Sequence, residues 1–184
     1  MRKLLLGLGL GLFFVPAVLL AATEDVTQHP SCSYCGMDRG QFSHSRMLIK
    51  YTDGTEVGTC SLRCMAVELA VSLGKTPASI WVADYNSREL IAAEKAFWVI
   101  GGKTKGVMTA RGKWAFATRE AAKSFVAAQG GEMGDFDEAL EAAYKDLYKD
   151  TQRARKMRGD KMSHKDEHKM KMDDDHKKHK MENK

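Results

Sequence analysis

Four cysteines fall as two close pairs, Cys32-Ser-Tyr-Cys35 and Cys60-Ser-Leu-Arg-Cys64, with Gly36-Met37 directly behind the first pair. Thiols spaced in this way serve three chemistries. They pair as structural disulfides, for which four cysteines allow three connectivities, they hold a metal ion, or they cycle as a redox couple. The redox reading has the least support from spacing, because a redox-active C-x-x-C usually opens a helix after a strand, whereas here Gly36 follows Cys35 at once. A closed four-cysteine zinc site is compatible with the pairwise spacing.

Methionine shifts the balance toward copper. In an extended loop Met37 would place its thioether on the same side as the Cys35 thiolate. A thiolate and a thioether suit Cu(I), which tolerates two or three soft ligands, better than zinc, which wants four. Met108, in the loop Gly101-Gly-Lys-Thr-Lys-Gly-Val-Met108, offers a second thioether or fills a gap in the core. Cys60 and Cys64 lie four apart and share one face once a helix has begun, and a helix N-terminus would favour the Cys60 thiolate. His29 and His44 flank the first motif and read as surface residues rather than ligands.

The elements that must position these groups come in two passages of similar order. In the first, Met47–Tyr51 and Glu56–Thr59 read as strands joined by Asp53-Gly54, followed by a helix capped by Ser61 and running to about Leu73, then a β-rich run over Ser79–Ala83. In the second, Phe97–Ile100 and Trp114–Ala117 read as strands. Thr118 caps a helix over Arg119–Gln129, and a short extended piece falls near Met133–Phe136. A closing helix follows over Asp137–Tyr148. The expected fold class is α+β, with two successive ββαβ-like halves.

Charge divides the 184 residues into three. The chain carries 29 Lys+Arg and 24 Asp+Glu, but residues 1–22 hold +2, residues 151–184 hold +5, and the body between them is −2. A body without a basic excess argues against nucleic acid as a partner. Arg2-Lys3 followed by the uncharged run Leu4–Ala22 reads as a secretory signal, which places the rest, with its cysteines, outside the cytoplasm. If the leader stays on, it also serves as a membrane anchor. Residues 23–150 form the expected folded domain. Residues 151–184 read as a disordered tail, with no Leu, Ile, Val, Phe, Trp or Tyr to bury. That tail nevertheless holds His164, His168, Met170, Met172, His176, His179 and Met181, imidazole and thioether groups suited to capturing copper.

Several segments together resemble the NosL-type family of nitrous-oxide-reductase accessory proteins. They are Cys35-Gly-Met37, Cys60-Ser-Leu-Arg-Cys64-Met-Ala-Val-Glu-Leu, Ala93-Glu-Lys-Ala-Phe-Trp-Val-Ile-Gly-Gly102, Val107-Met108 and Phe116-Ala, with Phe125 and Gly130-Gly131 beyond. The resemblance implies an extracytoplasmic copper chaperone rather than an enzyme. It also implies two ββαβ-like halves related in topology to the organomercurial lyases, and one Cu(I) held by Cys35, Met37 and Met108. The chain departs from many members in lacking a lipobox cysteine, and its paired cysteines place it in a cysteine-richer branch serving nitrous oxide reductase or general copper handling. The resulting expectation is a periplasmic Cu(I)-binding protein that delivers copper by ligand exchange to a copper-accepting protein, with Cys32, Cys60 and Cys64 as additional or alternative thiolates. The alternatives are a thiol–disulfide oxidoreductase and a disulfide-braced, partner-binding domain.

Overall fold

The first hairpin turns where Asp53-Gly54 stands. Gly54 takes φ +84, and Asp53 Oδ1 accepts from both the backbone N–H and the hydroxyl of Thr55, so β1 (Met47–Tyr51) returns as β2 (Glu56–Thr59). A computed structural model describes the backbone over residues 21–182 and side chains over residues 24–159. The leader expected over 1–22 lies outside the described residues except for Ala21 and Ala22, which open helix α1 (Ala21–Gln28).

Both halves have the expected ββαβ order. β1, β2, α2 (Leu62–Val71) and β3 (Pro77–Ala83) make the first half, and the short β4 (Leu90–Ala92) adds an edge to give an antiparallel sheet of order β2-β1-β3-β4. β5 (Phe97–Lys105), β6 (Arg111–Phe116), α3 (Arg119–Gln129) and β7 (Glu132–Gly134) make the second, with order β6-β5-β7. Thr118 caps α3 as expected, its hydroxyl oxygen accepting from Ala121 N. One apolar core, including Met47, Ile49, Met65, Val82 and Trp98, lies under the first sheet. A second gathers Cys32, Cys60, Cys64, Trp114, Phe116 and Phe125, so three of the four cysteines are core residues as well as chemical ones.

The closing helix, α4, runs Phe136–Glu182, far beyond Tyr148. A reciprocal capping box starts it, with Glu138 N donating to Asp135 Oδ1 and Asp135 N to Glu138 Oε2. The helix is fastened across the second sheet by Asp146, which receives Lys113 at 2.6 Å and Arg111 at 2.8 Å. Asp150 Oδ1 accepts from Ala110 N at 3.2 Å, and Arg63 donates to the Thr151 hydroxyl at 2.8 Å. Packing thus continues past residue 150. The backbone of α4 is described as helical to Glu182, through the segment expected as a tail. Its Lys, Arg, Glu, Gln and Met residues are good helix formers even where nothing is buried. The seven tail histidines and methionines named above have side chains outside the described residues.

The most heavily bonded polar group in the body is a buried cation–anion–cation triad. Asp25 of α1 receives Arg39 at 2.8 Å and Arg46 at 2.9 Å, and the two arginines are 0% and 1% exposed. Arg39 also donates to the carbonyls of Asp25, His29, Met47 and Thr59, which satisfies a guanidinium that burial would otherwise penalise. Asp25→Ala leaves two buried cations without their anion and is expected to lower unfolding stability by about 3–5 kcal/mol, measured by chemical denaturation.

Candidate metal centre

The first cysteine pair sits on a loop that folds back on itself. Cys32 N donates to Met37 O at 2.8 Å, Gly36 N to Cys32 O at 2.9 Å, and Gly36 takes φ +73, a conformation that glycine adopts freely. The extended geometry expected for Cys35-Gly-Met37 is therefore corrected to a turn, driven by these internal bonds and by the bridge between Ser31 and Asp38. Ser33 clips the loop to β2, its N–H and hydroxyl both donating to Gly58 O at 3.1 Å. Gly58 has to be glycine for this approach, because a Cβ there would stand 2.7 Å from His29 Cβ and 2.8 Å from Arg39 Cζ.

The second pair brackets the start of α2. Ser61 occupies the N-cap position, its carbonyl accepting from Cys64 N and Met65 N at 3.1 Å, but its side chain does not cap the helix. Its hydroxyl instead donates to Val107 O at 3.0 Å, drawing the loop that bears Met108 toward the cysteines. Ser45 holds the other side by donating to Cys60 O at 2.8 Å. The four cysteine sulfurs consequently lie within 4.8 Å of one another, with Cys35 and Cys60 at 3.5 Å and Cys60 and Cys64 at 3.8 Å. All four are free thiols, three of them buried and Cys35 half-buried, so the cluster has one accessible corner.

Met37 and Met108 pack against the same core as these sulfurs and line a cavity of about 540 Å³ beside it. Met108 is held at φ +59, a left-handed conformation that costs a non-glycine residue on the order of 1 kcal/mol or more and persists only where its surroundings impose it. The histidines stand apart from the cluster. His29 pairs with Glu56 at 3.7 Å, and His44 is half-buried against the rings of Trp114 and Tyr85 at 5.5 and 5.9 Å. Burial, with Arg88 nearby, pushes the His44 pKa down, as expected for a packed neutral imidazole.

Four thiols in contact do not titrate alike. The thiols of Cys35, Cys60 and Cys64 donate toward Cys32 and hold it well below the usual thiol range. Cys60 and Cys64 face that anion first, then the Cys35 thiol and burial, and are pushed well above the range. Cys32 also pushes Cys35 up, but donation from Cys60 and Cys64 outweighs it and brings Cys35 to about 7. The expectation that a helix N-terminus would favour the Cys60 thiolate is thus corrected: Cys60 precedes the helix and is dominated by its thiol neighbours. Cys64 gains a positive neighbour in Arg63, whose Nη1 lies 3.8 Å from Cys64 Sγ.

A family model described as NosL matches residues 23–144. The chain belongs to the NosL family. Two solved structures are similar to it. The copper chaperone NosL from Shewanella denitrificans is 23% identical, with 59% of this chain and 87% of that one covered and a TM-score of 0.47. The solution NMR structure of apo-NosL from Achromobacter cycloclastes is 25% identical, with 50% and 82% covered and a TM-score of 0.36. No curated protein matches the chain. In this NosL-family chain the four cysteines form a group able to hold a metal, and every member of that group is cysteine.

Asp25, Arg39, Gly58 and Arg63 position the centre and did not stand out in the sequence, and Ser61 stood out only as a helix cap. A buried arginine looks like any surface arginine until its carboxylate is found. An ion bound through Cys60 or Cys64 must displace the proton that each retains at neutral pH. Affinity for a thiolate-bound ion is expected to rise with pH by about tenfold per unit for each such proton. The slope steepens below about 7, where Cys35 must also lose one, as measured by competition titration from pH 6 to 8.

Proposed function

We propose that this NosL-family protein binds Cu(I) outside the cytoplasm and hands it to a copper-accepting protein, nitrous oxide reductase or another cuproenzyme. The observation that carries this reading is the gathering of four free cysteine sulfurs within 4.8 Å, beside two thioethers and without a carboxylate. Sulfur-only donors select soft ions. Cu(I) is satisfied by two or three of them, which leaves the remainder free to take part in exchange. NosL from Shewanella denitrificans is itself a copper chaperone.

Transfer proceeds at the half-buried corner. Cys35 presents one sulfur to the outside while Cys32, Cys60 and Cys64 stay buried behind it. An acceptor's Cys, Met or His approaches there and forms a bond to copper before a donor thiolate leaves, so the ion is never released to water. Met37 and Met108 supply neutral ligands that stabilise the intermediate without adding charge. The exported location rests on the leader over residues 1–22, and the tail histidines and methionines raise the local copper concentration near the folded site. The protein carries an ion rather than turning over a substrate.

A second reading has one observation in its favour. Cys35, brought to about 7 and 3.5 Å from Cys60, has the acidity and proximity of a redox-active thiol. A disulfide exchanger would form and break that pair reversibly in the absence of metal, which thiol counting across a redox buffer series reveals.

Cu(I) competition against a chromophoric chelator tests the copper reading. Cys35→Ser and Cys60→Ser are each expected to weaken Cu(I) binding by at least about tenfold, and Met108→Leu by less, because a thiolate is a charged ligand and a thioether is not. Unchanged affinity in both cysteine variants contradicts it. Removing residues 160–184 is expected to slow loading from dilute copper while leaving the affinity of the folded site intact.

A further inference from the structure

The cavity beside the thiols has a third wall. Met37 and Met108 close it on the side of the cysteine loop and the β5–β6 loop, and Arg153, Ala154 and Met157 of α4 close it opposite them. We propose that Met37, Met108 and Met157 form a thioether port, a second Cu(I) site through which the ion enters and leaves the four-cysteine cluster. The proposal rests on the copper reading above and adds to it a site, a residue and a route.

Four features of the molecule support the port. First, Met157 is not loosely placed. Met157 follows Arg153 by four residues and Ala154 by three, on the face of α4 that Asp150 pins to Ala110 N at 3.2 Å, and Arg153 pairs with Asp150 at 3.3 Å. Met157 therefore lines, together with Met37 and Met108, one space of about 540 Å³, large enough to admit an ion and an approaching ligand. Second, Met157 is 56% exposed, so one side of the port is open to solvent or to a partner.

Third, the lining selects against hard cations. It contains no aspartate or glutamate, and Lys105 and Arg153 contribute positive charge. A divalent ion that needs carboxylate ligands finds none there and is repelled more strongly than a monovalent one, whereas neutral sulfur donors still suit Cu(I). Fourth, the strained backbone of Met108, at φ +59, keeps that residue in the cavity wall despite its cost, as strain at functional sites does.

Thioethers are neutral and thiolates anionic, so the port binds Cu(I) more weakly than the cluster and passes it inward. An acceptor seated at the open side reverses the flow by supplying stronger ligands. Met157 lies beyond residue 144, the last position of the family match, so this third thioether belongs to the extension and not to the matched domain. In sequence, His164, His168, Met172 and His179 follow Met157 at 7, 11, 15 and 22 residues, the recurrence of a single helical stripe.

The test uses the full chain labelled with methyl-13C methionine, titrated anaerobically with Cu(I) and followed by NMR, with Met157→Leu both assigning the Met157 signal and serving as the variant. After the first equivalent fills the cluster, the second is expected to shift the methyl signal of Met157, which the first leaves still, and to move those of Met37 and Met108 further. Met157→Leu is expected to weaken that second equivalent by at least about tenfold and leave the first unchanged. A Met157 signal that stays still through the second equivalent, or a variant that binds both equivalents as the parent does, overturns the port while the copper reading stands. If Cys35→Ser and Cys60→Ser both leave the first-equivalent affinity unchanged, the copper reading fails and the port falls with it.

Discussion

Two buried guanidinium groups converge on the carboxylate of Asp25, and the placement of the first cysteine pair depends on that convergence. Arg39 alone reaches α1, the His29 carbonyl ahead of the cysteine loop, and the carbonyls of Met47 and Thr59 on the first hairpin. Arg46 adds the Ser43 and Arg88 carbonyls. Segments with no apolar reason to meet are thereby stapled together. A charge triad of this kind adds little net stability compared with an apolar replacement, because desolvation consumes most of its Coulombic gain. Its value here is specificity. It fixes one arrangement of loop on hairpin, and that arrangement brings Cys32 and Cys35 over Cys60 and Cys64.

The cluster that results is poised electrostatically. Four thiolates this close would repel one another severely, so the cluster holds its protons unevenly: Cys32 is held low, Cys60 and Cys64 are held high, and Cys35 lies at about 7. An incoming cation replaces protons rather than entering a preformed anionic cage. Arg63 beside Cys64 supplies compensating charge and also ties the centre to Thr151 of α4. Helix α4 is accordingly part of the site: it roofs the second sheet through Asp146 and Asp150 and supplies one wall of the adjacent cavity.

Much of the fold is legible in the sequence because it is local. β1, β2 and α3 fall at their expected residues, since alternation, the Asp53-Gly54 turn and the Thr118 cap act within a few positions. β4 escapes such a reading because three residues are too few to show a period, and α1 because it opens inside a run that reads as a leader. The length of α4 escapes it because a lack of apolar residues suggests a lack of structure, whereas helix propensity survives without them. At the site, residue types and spacing pick out all four cysteines with Met37 and Met108. Their geometry is not legible: the loop folds instead of extending, and the Cys60 thiol is dominated by Cys32 and Cys35, the nearer of them 25 positions away. The Asp25 triad spans 14 and 21 positions, and such pairings leave no local trace.

If the four-cysteine centre and its neighbouring thioethers hold Cu(I) through sulfur alone, the ion's nearest shell must show it. X-ray absorption at the copper edge, on the full chain loaded with one equivalent, reads that shell. The expected spectrum has a Cu(I) edge and two or three sulfur neighbours, with no nitrogen or oxygen. A shell containing nitrogen or oxygen would contradict sulfur-only binding, as would protein that takes up zinc with four sulfurs and leaves copper in solution.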